Sequence, residues 1–400
     1  MKRFLPFLML LAAACTPRPA VFTVTDYGAV PGVVSTGAIQ EALDLCSESG
    51  GGQVVIPAGT FPSATLYLRD NVDLHLEEGA VLQGVEDPDA YKPYIPKHDL
   101  TRYDSGNGTA NSNCVNDRQW MKAFLIGDGV VNASITGRGT IDGIHVFDER
   151  GEENMRGPHT IIVAEAENFR MSGIHITRAA NYAFLGYALV NPVFEDLFIT
   201  EGWDGIHIRG CENGVIRRCK FQTGDDSIAG GYWNNMLIEG CDINSSCNGI
   251  RMIMPSDGVE IRSSVLHGPG VYPHRTSGEA RRSNMLFGIE LEPGAWGRAE
   301  GTARNIYLHD LNMFCLSSPV GCSVREGSVA EDLTLEDITA TGLTGSVNPV
   351  VSWNDQGFQA ITVRNCRYSK SAAYTHGDLL FAGSQPFCNL PICQQITFGS

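Results

Sequence analysis

The chain has 400 residues, a formal net charge of −16 and a mean hydropathy of −0.08. These values exclude a polytopic membrane protein, and the acidic charge argues against a nucleic-acid partner. Since 43% of the residues are hydrophobic, disorder is excluded as well, and we expect a soluble, monomeric protein.

The first 15 residues contain two cations, an apolar run of about ten residues and then small residues. This pattern is typical of an export signal and is too short to span a bilayer. Cys15 follows three alanines, which resembles a bacterial lipoprotein acylation site, although ordinary signal cleavage fits the same residues. We predict a signal segment over residues 1–21 with lipidation at Cys15. The protein is then exported to the outer membrane or periplasm, or secreted, and contacts a membrane only through the lipid.

Apolar residues at helical spacing predict a helix over residues 36–46, ended by three consecutive glycines. The pattern consists of Ile39, Ala42, Leu43 and Cys46.

The pattern apolar-x-x-apolar-x-apolar recurs between residues 168 and 268, in steps of 23, 22, 22 and 23 residues. It is carried by Met171, Ile174, Ile176; Phe194, Leu197, Ile199; Ile216, Cys219, Phe221; Ile238, Cys241, Ile243; and Ile261, Ser264, Leu266. A unit this short has no room for a crossover helix, but it fits one turn of a β-solenoid. We therefore predict an all-β parallel β-helix as one domain over residues 22–400, whose open N-terminal end is covered by the helix. Residues 85–120 and 268–300 break the period and are predicted to be loop insertions beside a cleft.

Four polar residues each lie five positions after the last apolar residue of a unit, and they predict a ladder along one face: Asn181, Asp204, Asp226 and Asn248. Because stacked strands lie about 4.8 Å apart, Asp204 and Asp226 should be neighbours, with Asp225 beside them. Aspartates also cap backbone amides in turns, but three in adjacent turns favour a catalytic cluster. Such a cluster suits glycoside hydrolysis, in which one carboxyl donates a proton and another activates water.

Further motifs are Asp26-Tyr27-Gly28-Ala29, residues 56–61 and residues 72–82 in the amino-terminal part, and Trp203-Asp204-Gly205 and Gly224-Asp225-Asp226 in the centre. These segments resemble the pectin-degrading β-helix proteins, above all polygalacturonases of glycoside hydrolase family 28. The resemblance implies a right-handed β-helix that hydrolyses galacturonan or rhamnogalacturonan-type pectin. It makes Asp225 the general acid, while Asp204 and Asp226 activate water in an inverting displacement.

Two family motifs are not matched. Asn248-Gly249 stands where the family has His-Gly, and Cys247 is no substitute for the histidine. The Arg-Ile-Lys motif that holds the substrate carboxylate is also not visible, so Arg251 and the loop residues His274, Arg275, Arg281 and Arg282 are candidates for that role. Further predicted substrate contacts are Asn181, Trp203, His207, Tyr232, Trp233 and Asn248.

Two other functions stay open. A polysaccharide lyase would hold Ca²⁺ on the aspartates and use an Arg or Lys base. A non-catalytic surface glycan-binding protein would explain the missing histidine. The hydrolase itself needs no cofactor or metal. No cysteine spacing indicates zinc, and Cys315 with Cys322, like Cys388 with Cys393, closes a loop short enough for a disulfide.

Overall fold

The computed structural model describes residues 20–104, 113–275, 282–295, 299–325, 327–352, 357–371 and 396–399. Strands of three parallel sheets follow one another around a right-handed β-helix, numbered β1 to β32 in chain order. The predicted fold class is therefore confirmed.

The first sheet stacks β1 (Ala20–Thr23), β2 (Gly52–Ile56), β5 (Val72–Leu76), β9 (Ser134–Gly137), β12 (Arg170–Ser172), β15 (Val193–Glu195), the later halves of β17 (Ile206–Arg217) and β19 (Ile228–Glu239), β22 (Asp257–Arg262), the earlier halves of β25 (Gly301–Phe314) and β28 (Leu333–Leu343), β30 (Ile361–Arg364) and β32 (Ile396–Gly399).

The second sheet stacks β3 (Gly59–Pro62), β6 (Ala80–Gln83), β10 (Thr140–Asp142), β13 (His175–Thr177), β16 (Phe198–Glu201), β18 (Lys220–Thr223), β20 (Asp242–Ser245), β23 (Val265–His267), the later halves of β25 and β28, and β31 (Arg367–Lys370).

The third sheet stacks β4 (Leu66–Tyr67), β8 (Lys122–Asp128), β11 (His159–Ala164), β14 (Phe184–Val190), the earlier halves of β17 and β19, β21 (Ile250–Met252), β24 (Phe287–Leu291), β26 (Ser318–Cys322) and β29 (Val351–Ser352). Two short strands lie beside these stacks: β7 (Lys92–Pro93) pairs antiparallel with β8, and β27 (Ser328–Ala330) pairs with the start of β25. Short 3-10 helices cover Val24–Tyr27, Pro88–Ala90, Thr101–Tyr103 and Glu152–Asn154.

The interior of the β-helix is filled by the predicted apolar positions, which stack coil on coil. Met171 is in register with Phe194, and Ile199 with Phe221, and these side chains are fully buried or nearly so. The one polar member, Ser264, has its hydroxyl satisfied, because it donates to the carbonyl of Arg262 (2.8 Å) and accepts from the amide of Cys241 (3.0 Å). A serine at this slot therefore does not break the column.

The predicted helix is α1 (Thr36–Glu48), and its four apolar residues are all buried. It contacts β1, β2, β4 and β5, so it covers the amino-terminal end of the solenoid as expected. Covering that end removes apolar surface from water and shields strand edges.

The first insertion packs on the outer face of the third sheet. Trp120, Tyr94 and Leu100 from the insertion form a second hydrophobic cluster outside the solenoid with Tyr187 of β14 and with Tyr182, which precedes that strand. This insertion therefore covers the outer face of third-sheet strands that directly follow the polar ladder.

Cys315 and Cys322 are both free thiols, so the predicted disulfide between them is wrong; Cys388 and Cys393 lie outside the described residues. Residues 1–19 of the predicted signal segment, with Cys15, also lie outside them, whereas its last two residues, Ala20 and Val21, belong to β1. In the described part of the chain, the helices are too short or too polar to cross a membrane.

Candidate active site

The polar ladder lies in the turn between the second and third sheets. The carbonyl of Asp204 accepts from the amide of Ala183, that of Asp226 from Gly205 (2.9 Å each), and that of Asn248 from Ser227 (3.2 Å). Asp204, Asp226 and Asn248 are thus each bonded to the coil before, and Asn181 lies in the same turn one coil before Asp204. These positions agree with the predicted stacking. Their roles stay predictions.

Three carboxylates converge at this turn. One oxygen from each of Asp204, Asp225 and Asp226 lies within 4.8 Å of the other two. Asp204 and Asp226 side chains are 5% and 6% exposed, whereas that of Asp225 is 16% exposed and is the most open to solvent. The backbone carbonyl of Asp225 is fixed by the hydroxyls of Thr223 (2.9 Å) and Ser245 (2.7 Å).

Asp225 is surrounded by cationic or donor groups. His274 Nε2 lies 3.6 Å and Arg156 Nη2 3.9 Å from its Oδ2. Burial alone would raise the pKa of Asp225, but the hydrogen bond and charge of His274, the Arg156 guanidinium and the Cys247 thiol hold it below its ordinary value. Asp225 is therefore the ionised member of the cluster.

Asp204 and Asp226 are in the opposite situation. Burial, followed by the charge of Asp225, raises the pKa of Asp226 to about 6, although Arg251 and Asn248 oppose the shift. Burial and the charges of Asp225 and Asp226 raise the pKa of Asp204 well above its ordinary range. The cluster thus holds a proton near neutral pH beside an ionised carboxylate, which is the requirement for acid and base catalysis.

His207 orients Asp204. Its Nδ1 lies 2.7 Å from Asp204 Oδ2, and Arg209 Nε donates to its Nε2 (3.1 Å). Because arginine only donates, the proton of the neutral imidazole is on Nδ1 and points at Asp204. Burial and the Arg209 charge lower the pKa of His207 well below its ordinary value, so the ring is neutral. The predicted substrate contact of His207 is replaced by this positioning role, since the side chain is 3% exposed and stacks on Tyr182.

Two predicted sugar-binding aromatics are buried instead. Trp203 is 1% exposed, and the guanidiniums of Arg275 and Arg156 lie over its ring at 4.6 and 4.8 Å. Trp233 is equally buried, packs in the solenoid core and donates to the carbonyl of Ile208 (2.9 Å). Neither indole offers a face to a sugar, because Trp233 points into the solenoid from β19 and Trp203, in the turn between β16 and β17, lies under the two guanidiniums.

Tyr232 is partly exposed and lies away from the aspartates, in a surface pocket of about 400 Å³ beside the first insertion. Its ring meets Tyr103 edge-on, with centroids 6.0 Å apart, and the guanidinium of Arg102 lies over it at 4.9 Å. The position remains compatible with a remote sugar contact.

Arg251 is held by carboxyl groups. It is in register with Ala229 on one side and Glu290 on the other. Its Nη2 donates to Glu292 (2.8 Å), and its Nε and Nη1 lie 3.0 Å from Glu290 and 3.7 Å from Asp226. We call Arg251, Glu290 and Glu292 the Arg251 cluster.

The second insertion brings its residues to the Asp225 side of the site. His274 contacts Asp225, Arg275 contacts His145 and Trp203, and Arg282 Nη2 lies 3.4 Å from the sulfur of Cys247. Arg281 lies outside the described residues. Asn181 is 2% exposed, and its Oδ1 accepts from Arg156 (3.4 Å), while Asn248 donates to Asp226 Oδ1 (2.9 Å). Both asparagines therefore support the cluster from within, which corrects their prediction as direct substrate contacts.

Two sets of side chains could hold a cation. The three aspartates offer oxygens suited to a hard ion such as Ca²⁺, and Asp225, Cys247 and His274 offer an oxygen, a sulfur and a nitrogen within 4.8 Å of one another. The second set combines ligand types that suit zinc.

Sequence reasoning missed Arg156, Glu290 and Glu292. Arg156 precedes β11 in a stretch without the repeat, so no pattern marked it. A signal for Glu290 did exist: Gly288-Ile289-Glu290-Leu291 repeats the form of Gly249-Ile250-Arg251-Met252, and the two tetrapeptides are paired in the third sheet.

Comparison with known proteins finds polygalacturonases among the relatives of this chain. The model of the glycosyl hydrolases family 28 matches residues 97–252, which include the three aspartates. An exo-poly-α-D-galacturonosidase of Dickeya chrysanthemi is 25% identical over 258 residues, covering 53% of this chain and 42% of the relative. The chain thus spans less than half the length of that relative.

Two solved structures share the architecture. An exopolygalacturonase from Thermotoga maritima has a TM-score of 0.66 at 17% identity, with 88% of each chain covered. A polygalacturonase from Erwinia carotovora has a TM-score of 0.64 at 16% identity, covering 96% of this chain and 98% of that one. At these identities the likeness supports the right-handed β-helix fold.

Proposed function

We propose that this chain, a polygalacturonase-like protein of right-handed parallel β-helix fold, is an exported glycoside hydrolase that acts on pectin-like polysaccharide or oligosaccharide of the galacturonan or rhamnogalacturonan type. The observation that carries the proposal is the aspartate cluster. In it, a carboxyl oxygen of Asp226, whose pKa is raised, lies within 4.8 Å of one of the ionised Asp225. A proton donor and a water-activating carboxylate are thereby available at one open turn.

The acid role has two candidate holders. The resemblance to family 28 gives it to Asp225, which is also the most exposed of the three carboxylates. Burial and the charge of Asp225 instead raise the pKa of Asp226 to about 6, so that Asp226 holds a proton below that pH. The two assignments differ in what they predict for variants, because loss of a general acid matters little when the leaving group needs no proton.

Hydrolysis of an oligogalacturonide or rhamnogalacturonan oligosaccharide is expected to fall by at least about 100-fold in both Asp225→Asn and Asp226→Asn. The variant that lost the acid retains most of its rate on a glycoside with an activated leaving group, whereas the variant that lost the base regains rate with azide. Asp242→Asn is the control, because Asp242 pairs with Lys220 and His267 on the second sheet. Hydrolysis near the wild-type rate in both active-site variants would remove the proposal.

Inversion of the anomeric centre is the expected stereochemical outcome, recorded by proton NMR of the first product. The nearest carboxyl oxygens of the three aspartates lie within 4.8 Å of one another. Inverting enzymes typically have their two carboxyl groups roughly 6.5–9.5 Å apart, so the separation here is closer to that of retaining enzymes. However, the resemblance to family 28 implies inversion, and two carboxylate oxygens this close can share one water. Product that retains its configuration would show that one of them is a nucleophile.

The same product analysis separates the two alternatives. A lyase would release unsaturated sugars that absorb in the ultraviolet and would require Ca²⁺, so that chelation abolishes activity. A non-catalytic glycan-binding protein would bind these polysaccharides without releasing reducing ends, and Asp225→Asn would leave that binding unchanged.

A further inference from the structure

The two flanks of the aspartate cluster carry different charges. Asp225 faces His274 and Arg156, and Arg156 and Arg275 are stacked on Trp203 beside it. Asp226 instead faces the Arg251 cluster, in which carboxyl groups outnumber the guanidinium. A sugar chain lying across the cluster therefore meets a cationic flank and a carboxyl-rich flank.

Arg251 has its charge balanced inside the protein. Three carboxyl groups lie within 3.7 Å of its guanidinium, and the side chain is 19% exposed. Glu290 and Glu292 are themselves buried. A uronate carboxylate placed against Arg251 would be the fourth carboxyl group around one cation, and it would meet the charges of Asp226 and Glu292 at close range.

Burial raises the pKa of Glu290 to about 8, so that this carboxyl holds a proton at neutral pH and eases the repulsion within the cluster. Glu292 is held by a second cation, since Arg325 Nη2 donates to it (2.8 Å). The cluster is thus internally paired and stable without an anionic ligand. Sugar hydroxyls suit it, because a hydroxyl both donates to carboxylate oxygens and accepts from a guanidinium.

We propose that the subsite on the Arg251 flank binds a neutral sugar, and that the bond cleaved at the aspartates joins this neutral sugar to an acidic one on the Arg156 flank. The inference rests on the proposed hydrolase function. It makes Arg251, Glu290 and Glu292 specificity-determining residues. Backbones that alternate uronic acid and neutral sugar are then the preferred substrates over backbones made only of uronic acid.

The test compares three oligosaccharide series of equal length: all-uronate homogalacturonan, the same oligomers after carboxyl reduction, and alternating uronate and neutral rhamnogalacturonan backbone. We measure kcat/KM for each and identify the cleaved bond by mass spectrometry. The wild-type protein is expected to cleave the alternating series at least tenfold more efficiently than homogalacturonan, always with the neutral sugar on the same side of the bond. Equal or better cleavage of homogalacturonan would overturn the inference while leaving the hydrolase function intact.

The Glu292→Gln variant tests whether this carboxylate causes the preference for the alternating backbone. Removing this carboxylate leaves Arg251 with less compensating charge, so the ratio of kcat/KM for homogalacturonan to that for the alternating series is expected to rise at least tenfold. Glu239→Gln is the matched control, because Glu239 is also 2.8 Å from an arginine, Arg262, but on the first sheet. A ratio that is the same in both variants contradicts the assigned role of Glu292, and thermal melts show whether each variant is folded.

Failure of the hydrolase proposal gives a different result. If no series yields reducing ends, the proposed hydrolase function is wrong. Calorimetric titration of the wild-type protein with the same three series then still measures how tightly each one binds. Binding that is tighter for homogalacturonan than for the alternating series would then reject the neutral subsite on its own.

Discussion

Asp225 and Asp226 are adjacent in sequence but stand in different electrostatic surroundings. Asp225 has a histidine and an arginine within 4 Å, whereas Asp226 is buried beside an arginine that also contacts two glutamates. Pushing the pKa values of neighbouring carboxyls apart is how one site provides both an acid and a base. The sequence correctly predicted that the aspartates form a cluster. The opposite pKa shifts of Asp225 and Asp226, however, are caused by residues that the repeat pattern did not mark.

The pH dependence of hydrolysis should report the proton held by Asp226. Since one carboxyl must be protonated to donate, kcat/KM is expected to fall as the pH rises through about 6, the raised pKa of Asp226. Asn248 donates to Asp226 from its side chain and its backbone amide, which lowers that pKa. Asn248→Ala removes the side-chain donor, so the pKa of Asp226 rises and the falling limb moves to higher pH.

Activity profiles recorded from about pH 3 to 9 on one substrate check this prediction. The control is Asn244→Ala, because Asn244 contacts His267 and Pro269 and not the aspartates. A falling limb near pH 4, or one that Asn248→Ala leaves in place, would show that the catalytic proton is not the one on Asp226.

At the scale of elements, the turn between the third and first sheets carries an asparagine ladder that sequence reasoning missed. Each amide donates to the one in the coil before it over 2.8–3.0 Å, and every member has a positive φ. The ladder runs through Asn71, Asn132, Asn168, Asn191, Asn213 and Asn235. Asparagine suits this place, because it tolerates the left-handed region and bonds locally.

Asn191→Ala is expected to destabilise the solenoid by about 1–3 kcal/mol. Asn191 has φ of 52° and bonds Asn168 and Asn213. An alanine loses both bonds and adds left-handed strain of roughly 1–2 kcal/mol, while the exposed partners regain water. Urea unfolding followed by circular dichroism measures the loss. Asn191→Gly removes the bonds without the strain, so it should be the less damaging of the two; equal midpoints for both variants and the wild type would contradict the ladder's role.

For the whole molecule, we predict that the position of the protein in the cell depends on Cys15, which lies outside the described residues. We predict that the full chain, expressed in a bacterium, fractionates with membranes and carries a lipid, because an acyl chain buried in a bilayer contributes about 0.8 kcal/mol per methylene. Cys15→Ala should release it to the soluble fraction. Mass spectrometry of the mature amino terminus checks the lipid, and an unmodified wild-type protein cleaved at another residue would reject the prediction.

The sequence alone determined the solenoid, its interior column and the position of the aspartates, because each depends on a period of about 22 residues that local alternation enforces. Met171, Phe194 and Phe221 are buried for that reason, and Asp204 and Asp226 fall on adjacent coils. Only the tertiary structure decided which charges meet these aspartates. Arg156 and His274 come from segments without the repeat, and Glu292 lies 41 residues beyond Arg251. Insertions place such residues by long-range packing, which no local pattern encodes.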